Sequence, residues 1–176
     1  MRLTSPGTAQ RRAALGRLGA CALGLLLAHG GAMAQSRHGP DLPRLGDLRT
    51  LAAESRREQL PVLLFFSTAG CPYCAQVRRE HLGPMLAQGR AAGVLIREVE
   101  ILGSNSFADL DGRPLRESAL ADRFNVKMVP HVELVDAELK PLGKPLIGID
   151  AAGFYGDYLK DAIASATRQI SARLAR

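Results

Sequence analysis

The residues best suited to chemistry are two cysteines three positions apart, Cys71 and Cys74, separated by Pro72 and Tyr73. A disulfide between them would close a very short loop, which removes little conformational entropy from the unfolded chain. The pair is therefore of small use as a structural crosslink. Two thiols at this spacing can instead exchange disulfides with another molecule through a mixed-disulfide intermediate.

The sequence around the pair predicts that the two thiols differ. A continuous apolar run, Val62 to Phe66, predicts a strand buried on both faces. A helix is expected next, from Cys71 to about Gln88, with a kink at Pro84. Cys71 would begin this helix, where free N–H groups and the helix dipole favour a thiolate, while Cys74 would lie one turn further in and more buried. We interpret Cys71 as the nucleophile and Cys74 as the resolving thiol.

The first 34 residues predict a signal peptide. They contain four arginines and no acid, an apolar run over residues 18–28, and Ala32-Met33-Ala34, a small-x-small pattern that a signal peptidase cuts after. The apolar run is well short of the ~20 residues that span a bilayer, which disfavours a membrane anchor. Lipidation of Cys21 is a second hypothesis, which the position of the apolar run after Cys21 disfavours. We therefore expect export to the periplasm, an oxidising compartment in which Cys71 and Cys74 are the remaining cysteines.

The charge of the chain comes largely from this leader. The leader holds four of the 23 Lys and Arg residues and none of the 17 Asp and Glu residues, so residues 35–176 carry 19 basic and 17 acidic side chains. Such a balance gives no electrostatic reason to expect nucleic-acid binding or an anionic membrane surface as partner. The 142 residues that remain are enough for one domain with its own core.

The pattern of the remaining sequence predicts a flexible segment over residues 35–46 and one domain over residues 47–176. Helices between the first three strands imply parallel pairing, and two closely spaced last strands imply an antiparallel hairpin. The predicted fold class is α/β, with a mixed four-stranded sheet flanked by helices. The further predicted elements are a helix capped by Asp47 and running to Glu58, strands over 94–101, 129–135 and 144–149, a loop over 102–114, and helices over 115–124 and 151–174.

The strand, the Cys71-Pro72-Tyr73-Cys74 sequence, the helix and the later Val129-Pro130 together resemble the thioredoxin superfamily, over about residues 47–174. The resemblance implies a thioredoxin-like fold and a thiol–disulfide oxidoreductase whose only redox group is the Cys71–Cys74 disulfide, with no metal or other cofactor. It also implies a cis peptide bond before Pro130, which lies beside the active site and helps to hold the substrate backbone. Val129, Pro130, Pro72 and Tyr73 are the expected substrate-binding residues.

A narrower resemblance suggests the direction of the reaction. Two segments are similar to periplasmic thioredoxin-related proteins linked to sulfur oxidation: one runs from Asp111 to Pro130, and the other from Gly148 through Phe154 into the last helix. This implies a protein that reduces protein disulfides and is recycled by a membrane thiol electron donor. We also expect a monomer. Two departures from cytoplasmic thioredoxins weigh against a plain thioredoxin role: the chain has no Trp, and Phe65 stands where they carry a buried acid. A disulfide oxidant or isomerase with a re-oxidising partner stays open.

Metal binding is the alternative of another class. A structural zinc site needs four ligands, and beyond the cysteine pair the exported chain offers only His38, His81 and His131 as nitrogen donors. Thiolates also bind Cu(I), so a metallochaperone is a separate hypothesis, in which His131 would lie near the cysteines.

The remaining polar residues near the motif have plainer interpretations. His131 is either a substrate-facing residue or a half-exposed strand residue, and His81 is a packed helix residue. Four charged residues are expected on solvated faces: Arg78, Arg79, Glu80 and Glu133.

Overall fold

The computed structural model describes residues 40–175. The predicted signal peptide, residues 1–34, the first part of the predicted flexible segment, residues 35–39, and the final Arg176 lie outside the described residues. None of the helices within 40–175 is long and apolar enough to cross a membrane.

The described chain forms six strands and five α-helices. A π-helical turn, Arg78–Leu82, joins α2 to α3, and a 3-10 turn, Gly89–Ala92, follows α3. The strands are β1 Val62–Ser67, β2 Leu95–Glu100, β3 Ser106–Ala108, β4 Pro114–Arg116, β5 His131–Val135 and β6 Leu146–Ile147, and the helices are α1 Leu48–Glu58, α2 Pro72–Val77, α3 Gly83–Ala87, α4 Glu117–Arg123 and α5 Tyr155–Leu174.

The predicted mixed four-stranded sheet is present, in the order β2-β1-β5-β6. Strand β1 pairs parallel with β2 and antiparallel with β5, and β5 pairs antiparallel with β6. The prediction that β5 would pair parallel with β1 was wrong. Helix α4 has seven residues and is about 10 Å long, which does not carry the chain back along the ~20 Å of a six-residue strand. Strand β5 therefore starts at the end of the sheet where β2 stops.

Strand β1 is buried along its whole length, as the apolar run predicts. Its alternate side chains enter two different cores. Phe65 packs on the side that holds Cys74 and residues of α5 such as Leu159. Phe66 packs on the other side, with residues of α1 and α4 such as Leu120. The strand that leads into the cysteine motif is thus fixed from both faces.

The predicted helix over 71–88 is present as one helical run of α2, the π turn and α3. Pro84 does not end this run. The N–H of Gly83 donates to the carbonyl of Arg78, five residues back, which is the hydrogen bond of a π turn. Because Pro84 has no N–H and its ring crowds the preceding turn, a wider turn just before it accommodates the proline.

Three predicted boundaries were wrong. The predicted loop over 102–114 contains β3, which pairs with β4 as a hairpin whose turn places Gly112 at φ +84°. The paired residues Phe107 of β3 and Leu115 of β4 pack against the core. Three-residue strands with one apolar side chain each are too short for the sequence pattern to distinguish them from a loop. The last strand is only the two residues of β6, and α5 begins at Tyr155 rather than at residue 151.

The segment ahead of α1 was also predicted wrongly over its described part. Leu42 and Leu45 are buried rather than flexible. The N–H of Leu45 donates to the carbonyl of Glu98 at 2.9 Å, and the N–H of Glu98 donates to the carbonyl of Pro43 at 2.8 Å. Residues 42–45 therefore lie along the outer edge of β2. Leu42 and Leu45, on either side of Pro43, form no periodic pattern that would predict this placement.

Asp47 caps α1, as predicted. Its carboxylate accepts hydrogen bonds from the N–H groups of Arg49, at 2.8 Å, and Thr50, at 3.1 Å. The hydrogen bond from the Arg49 side chain is the largest cause that lowers the pKa of Asp47. The cap fixes where the chain turns from the edge of β2 into α1.

Candidate active site

Cys71 and Cys74 form a disulfide at the start of α2, with their Cα atoms 5.2 Å apart. Cys71 is the N-cap of α2, and its Sγ accepts a hydrogen bond from the N–H of Cys74 at 3.1 Å. Cys71 is half-buried, whereas Cys74 is fully buried. The sequence predicts this difference, which leaves one sulfur accessible to another molecule and encloses the other.

The loop between β1 and α2 explains how the motif is presented. Gly70 has φ +72°, a left-handed conformation that favours glycine, and it turns the chain towards the helix. Pro72 occupies the first helical position, where a missing N–H costs nothing. The carboxylate of Glu100 accepts a hydrogen bond from the N–H of Ala69 at 3.2 Å and ties the loop to β2. Tyr73 projects outward and is 59% exposed.

Pro130 lies at the same end of the sheet as the cysteines. The Val129–Pro130 peptide bond is cis, the geometry that the resemblance implies. Pro130 directly precedes β5. Because His131 of β5 pairs with Phe66 in an antiparallel register, Pro130 lies beside Ser67, the last residue of β1. Val129 is half-buried and packs on the core cluster against which Cys71 also packs. The structure therefore places all six predicted site residues at the same end of the sheet.

A buried polar cluster beside the motif was not foreseen from the sequence. The hydroxyl of Ser67 donates to Oε1 of Glu98 at 2.5 Å, and Nη2 of Arg78 donates to the hydroxyl of Ser67 at 3.0 Å. Arg78 also pairs with Glu98 through Nε, at 3.0 Å, and through Nη2. The side chain of Arg78 is only 14% exposed, so the expectation of a solvated face was wrong for it. For Arg79 and Glu80, which pair with each other at 48% and 42% exposure, that expectation was right.

A cleft of about 590 Å³ opens beside Cys71. The sequence pattern did not predict this cleft, because one of its walls is formed by Leu42 and Arg44, which lie in the segment before α1. We call it the Cys71 cleft, and its lining includes Leu42, Arg44, Gly70, Cys71, Arg78 and Glu98.

Two further predictions about polar residues were wrong. His131 and Glu133 are buried rather than half-exposed or solvated, and His131 Nε2 lies 3.2 Å from Glu133 Oε2. The ring of His131 packs edge-on against Phe66, on the face of the sheet opposite to Cys74. Successive side chains of β5 point to opposite faces of the sheet. Val132 faces the side of Cys74, so its neighbour His131 faces the other side. The structure thus does not bring His131 to the cysteines.

His81 is packed, as predicted. Its ring lies 5.0 Å from that of Tyr155, centroid to centroid, and burial lowers the pKa of His81. Burial likewise raises the pKa of Tyr155. In the part of the chain that the structure describes, no group of three or more His, Cys, Asp and Glu side chains is placed to hold a metal ion.

The sequence itself matches a known family. Residues 48–148 match the family described as thioredoxin-like domain, which is more than half of the chain. The chain therefore belongs to the thioredoxin-like domain family. No curated protein matches it. The family and the Cys71–Cys74 pair support thiol–disulfide redox chemistry.

Solved structures similar to the chain are thioredoxin-fold proteins. Thioredoxin O2 from Arabidopsis thaliana, in its oxidised state, is 16% identical, covers 69% of this chain and 90% of its own, and superposes with a TM-score of 0.44. The DsbH oxidoreductase is 18% identical over 72% of this chain and 88% of its own, with a TM-score of 0.48. A thioredoxin-fold protein from Helicobacter pylori is 16% identical over 80% and 91%, with a TM-score of 0.45. Likeness at this level says nothing about substrate or partner.

We predict that the two thiols of the reduced protein react at very different rates with iodoacetamide at neutral pH. Cys71 should be alkylated at least tenfold faster than Cys74, because it is accessible and its thiolate begins a helix, whereas Cys74 is enclosed. The pKa of Cys71 should lie below the ~8.5 of an ordinary thiol. Mass spectrometry of the alkylated peptides measures both rates. Equal rates, or a pKa of Cys71 near ~8.5, would show that the helix start does not activate this thiol.

Proposed function

We propose that the chain is a periplasmic thiol–disulfide oxidoreductase that reduces disulfides of other proteins through Cys71 and Cys74. The observation that carries this proposal is the arrangement of the pair: an accessible sulfur at the start of a helix and an enclosed sulfur one turn further in. Such a pair exchanges disulfides readily with a partner and closes on itself readily.

The reaction has two exchange steps. The thiolate of Cys71 attacks one sulfur of the substrate disulfide, so that a mixed disulfide forms, the substrate S–S bond breaks and a substrate thiolate leaves. The thiolate of Cys74 then attacks the sulfur of Cys71, which forms the Cys71–Cys74 disulfide and releases the second substrate thiolate. Two electrons pass from the dithiol to the substrate, and each released thiolate takes up a proton. These steps would leave the pair as the Cys71–Cys74 disulfide, the form that the structure contains.

The substrate segment is proposed to lie across Val129, Pro130, Pro72 and Tyr73. The backbone N–H and carbonyl of Val129 make no hydrogen bond to any other residue that the structure describes, so they are available to pair with an extended segment. Pro72 and Tyr73 are exposed beside the accessible sulfur. Backbone pairing of this kind accepts many different protein substrates, because it does not depend on their side chains.

The reducing direction requires a supply of electrons. A dithiol carried by a membrane protein is the proposed donor, and it would reduce the Cys71–Cys74 disulfide by the same exchange steps. Support for this direction comes from the sequence resemblance around Asp111–Pro114 to proteins linked to sulfur oxidation. Phe65 leaves β1 without an acid at the position where cytoplasmic thioredoxins carry one, which fits a specialised reductase better than a general one.

Periplasmic location rests on residues 1–34. If they are a cleaved signal peptide, protein recovered from the periplasmic fraction of a Gram-negative host should begin at Gln35, as intact-mass measurement will show. Full-length protein in the cytoplasmic fraction would contradict export. Substitution of Ala32 and Ala34 by bulky residues should block the cleavage and serves as the control.

We predict that Cys74→Ser traps the mixed disulfide and Cys71→Ser does not. With dithiothreitol as electron donor, the wild-type protein should accelerate reduction of a protein disulfide, and both variants should lose this acceleration. A Cys74→Ser variant incubated with the oxidised substrate should accumulate a covalent complex on a non-reducing gel, because no second thiol can release it. A complex that forms with Cys71→Ser and not with Cys74→Ser would reverse the assigned roles.

A further inference from the structure

An ion pair enclosed beside the redox centre plays no part in the exchange steps above. It consists of Glu98 on β2 and Arg78 in the π turn, with Ser67 between them at the end of β1, and we call it the Glu98 cluster. The side chains of Glu98 and Arg78 are 6% and 14% exposed. Oε1 of Glu98 alone accepts from the Ser67 hydroxyl and from both Nε and Nη2 of Arg78.

The Glu98 cluster is adjacent to both cysteines. The N–H of Arg78 donates to the carbonyl of Cys74, so Arg78 follows Cys74 by one helical turn on the same face. The guanidinium lies 5.4 Å from the centre of the Phe65 ring, and Phe65 belongs to the core cluster that encloses Cys74. Arg78 and Glu98 also line the Cys71 cleft together with Cys71.

Charges in such a position act strongly on a neighbouring thiol. At a given distance two charges interact more strongly inside a protein than in water, because the surroundings are less polarisable. A guanidinium near Cys71 favours its thiolate, and a carboxylate near Cys71 disfavours it. A more stable thiolate in turn stabilises the reduced form of the pair and makes its reduction potential less negative.

We propose that Arg78 and Glu98 are positioning residues whose opposed charges set the stability of the Cys71 thiolate, and with it the reduction potential of the pair. Arg78 supplies positive potential, and Glu98 both holds the guanidinium in place and offsets its charge. The hydroxyl of Ser67 donates to the Glu98 carboxylate and accepts from the Arg78 guanidinium, so it holds the carboxylate at the end of β1. This inference deepens the proposed function and rests on Cys71 and Cys74 being redox-active.

Removing one charge at a time tests the proposal. Glu98→Gln leaves the guanidinium without its counter-charge, so the pKa of Cys71 should fall by about one unit. At a pH well above the pKa of Cys71 in both proteins, the equilibrium constant for oxidation by glutathione should then shift about tenfold towards the dithiol, which corresponds to about 30 mV. Arg78→Met should move both quantities in the opposite direction. The pH dependence of Cys71 alkylation gives the pKa, and equilibration with glutathione buffers gives the potential.

The same helix offers a matched control. Arg79→Met and Glu80→Gln remove the neighbouring ion pair, which is exposed and therefore screened by solvent. Both control variants should leave the glutathione equilibrium within about twofold of the wild type. If Glu98→Gln and Arg78→Met shift the potential in the same direction, or by no more than these controls, the proposal is wrong.

Two further measurements keep the result interpretable. If either single variant does not fold, the double variant Arg78→Met/Glu98→Gln removes both charges without leaving one buried alone, and its potential should return towards the wild-type value. A shift of the double variant as large as that of a single variant would overturn the proposal. Reduction of a protein disulfide by the wild-type protein is measured separately. A wild type without this activity, whose variants still shift in opposite directions, would refute the proposed function and leave the role of the Glu98 cluster intact.

Discussion

Strand β1 has no face towards solvent, and this enclosure places strict limits on what surrounds it. Both faces need apolar cover, which α2 and α5 supply on one side and α1 and α4 on the other. The backbone groups of β1 are paired on both edges by β2 and β5. A strand held in this way has a fixed end at Ser67, so the loop that follows presents Cys71 from a rigid support. A reactive group on a rigid element keeps its geometry without the cost of ordering a flexible loop in each reaction.

The same enclosure separates the two sulfurs. Because α2 begins where β1 ends and packs back onto it, the first residue of the motif stays at the surface and the fourth enters the core. The cost of burial falls on polar groups, and the site contains several of them. Ser67, Arg78 and Glu98 satisfy one another beside the pair. On the opposite face of the sheet, away from the cysteines, Nε2 of the buried His131 lies 3.2 Å from Oε2 of Glu133, while its Nδ1 has no hydrogen-bond partner among the described residues. Buried charges of this kind persist when each has a partner, and they make their surroundings sensitive to the loss of either one.

Much of this arrangement could be predicted from the sequence, and the reasons are specific. The run Val62–Phe66 has no polar residue, which favours a strand buried on both faces. Pro72 suits the first turn of a helix, which favours a helix that begins at the cysteine motif. The cis bond before Pro130 followed from the resemblance alone, since a proline at a strand start is equally compatible with trans geometry. The direction of β5 was missed because helices between strands suggested crossovers, and α4 is too short for one. The Glu98 cluster was missed because its members lie on three separate elements, and no local pattern shows that Arg78 and Glu98 meet. The burial of Leu42 has the same origin, because it depends on an edge of β2 that the sequence does not reveal.

We propose that Cys71 and Cys74 act as a reducing pair. The most direct test is the reduction potential of the wild-type pair, measured by equilibrating the protein with thiol buffers of known potential and counting free thiols. We expect a value near that of thioredoxin, about −270 mV, at which the pair gives electrons to protein disulfides and needs a dithiol donor to recover them. A value near about −120 mV would contradict it, because such a pair takes electrons from substrate thiols and forms disulfides instead.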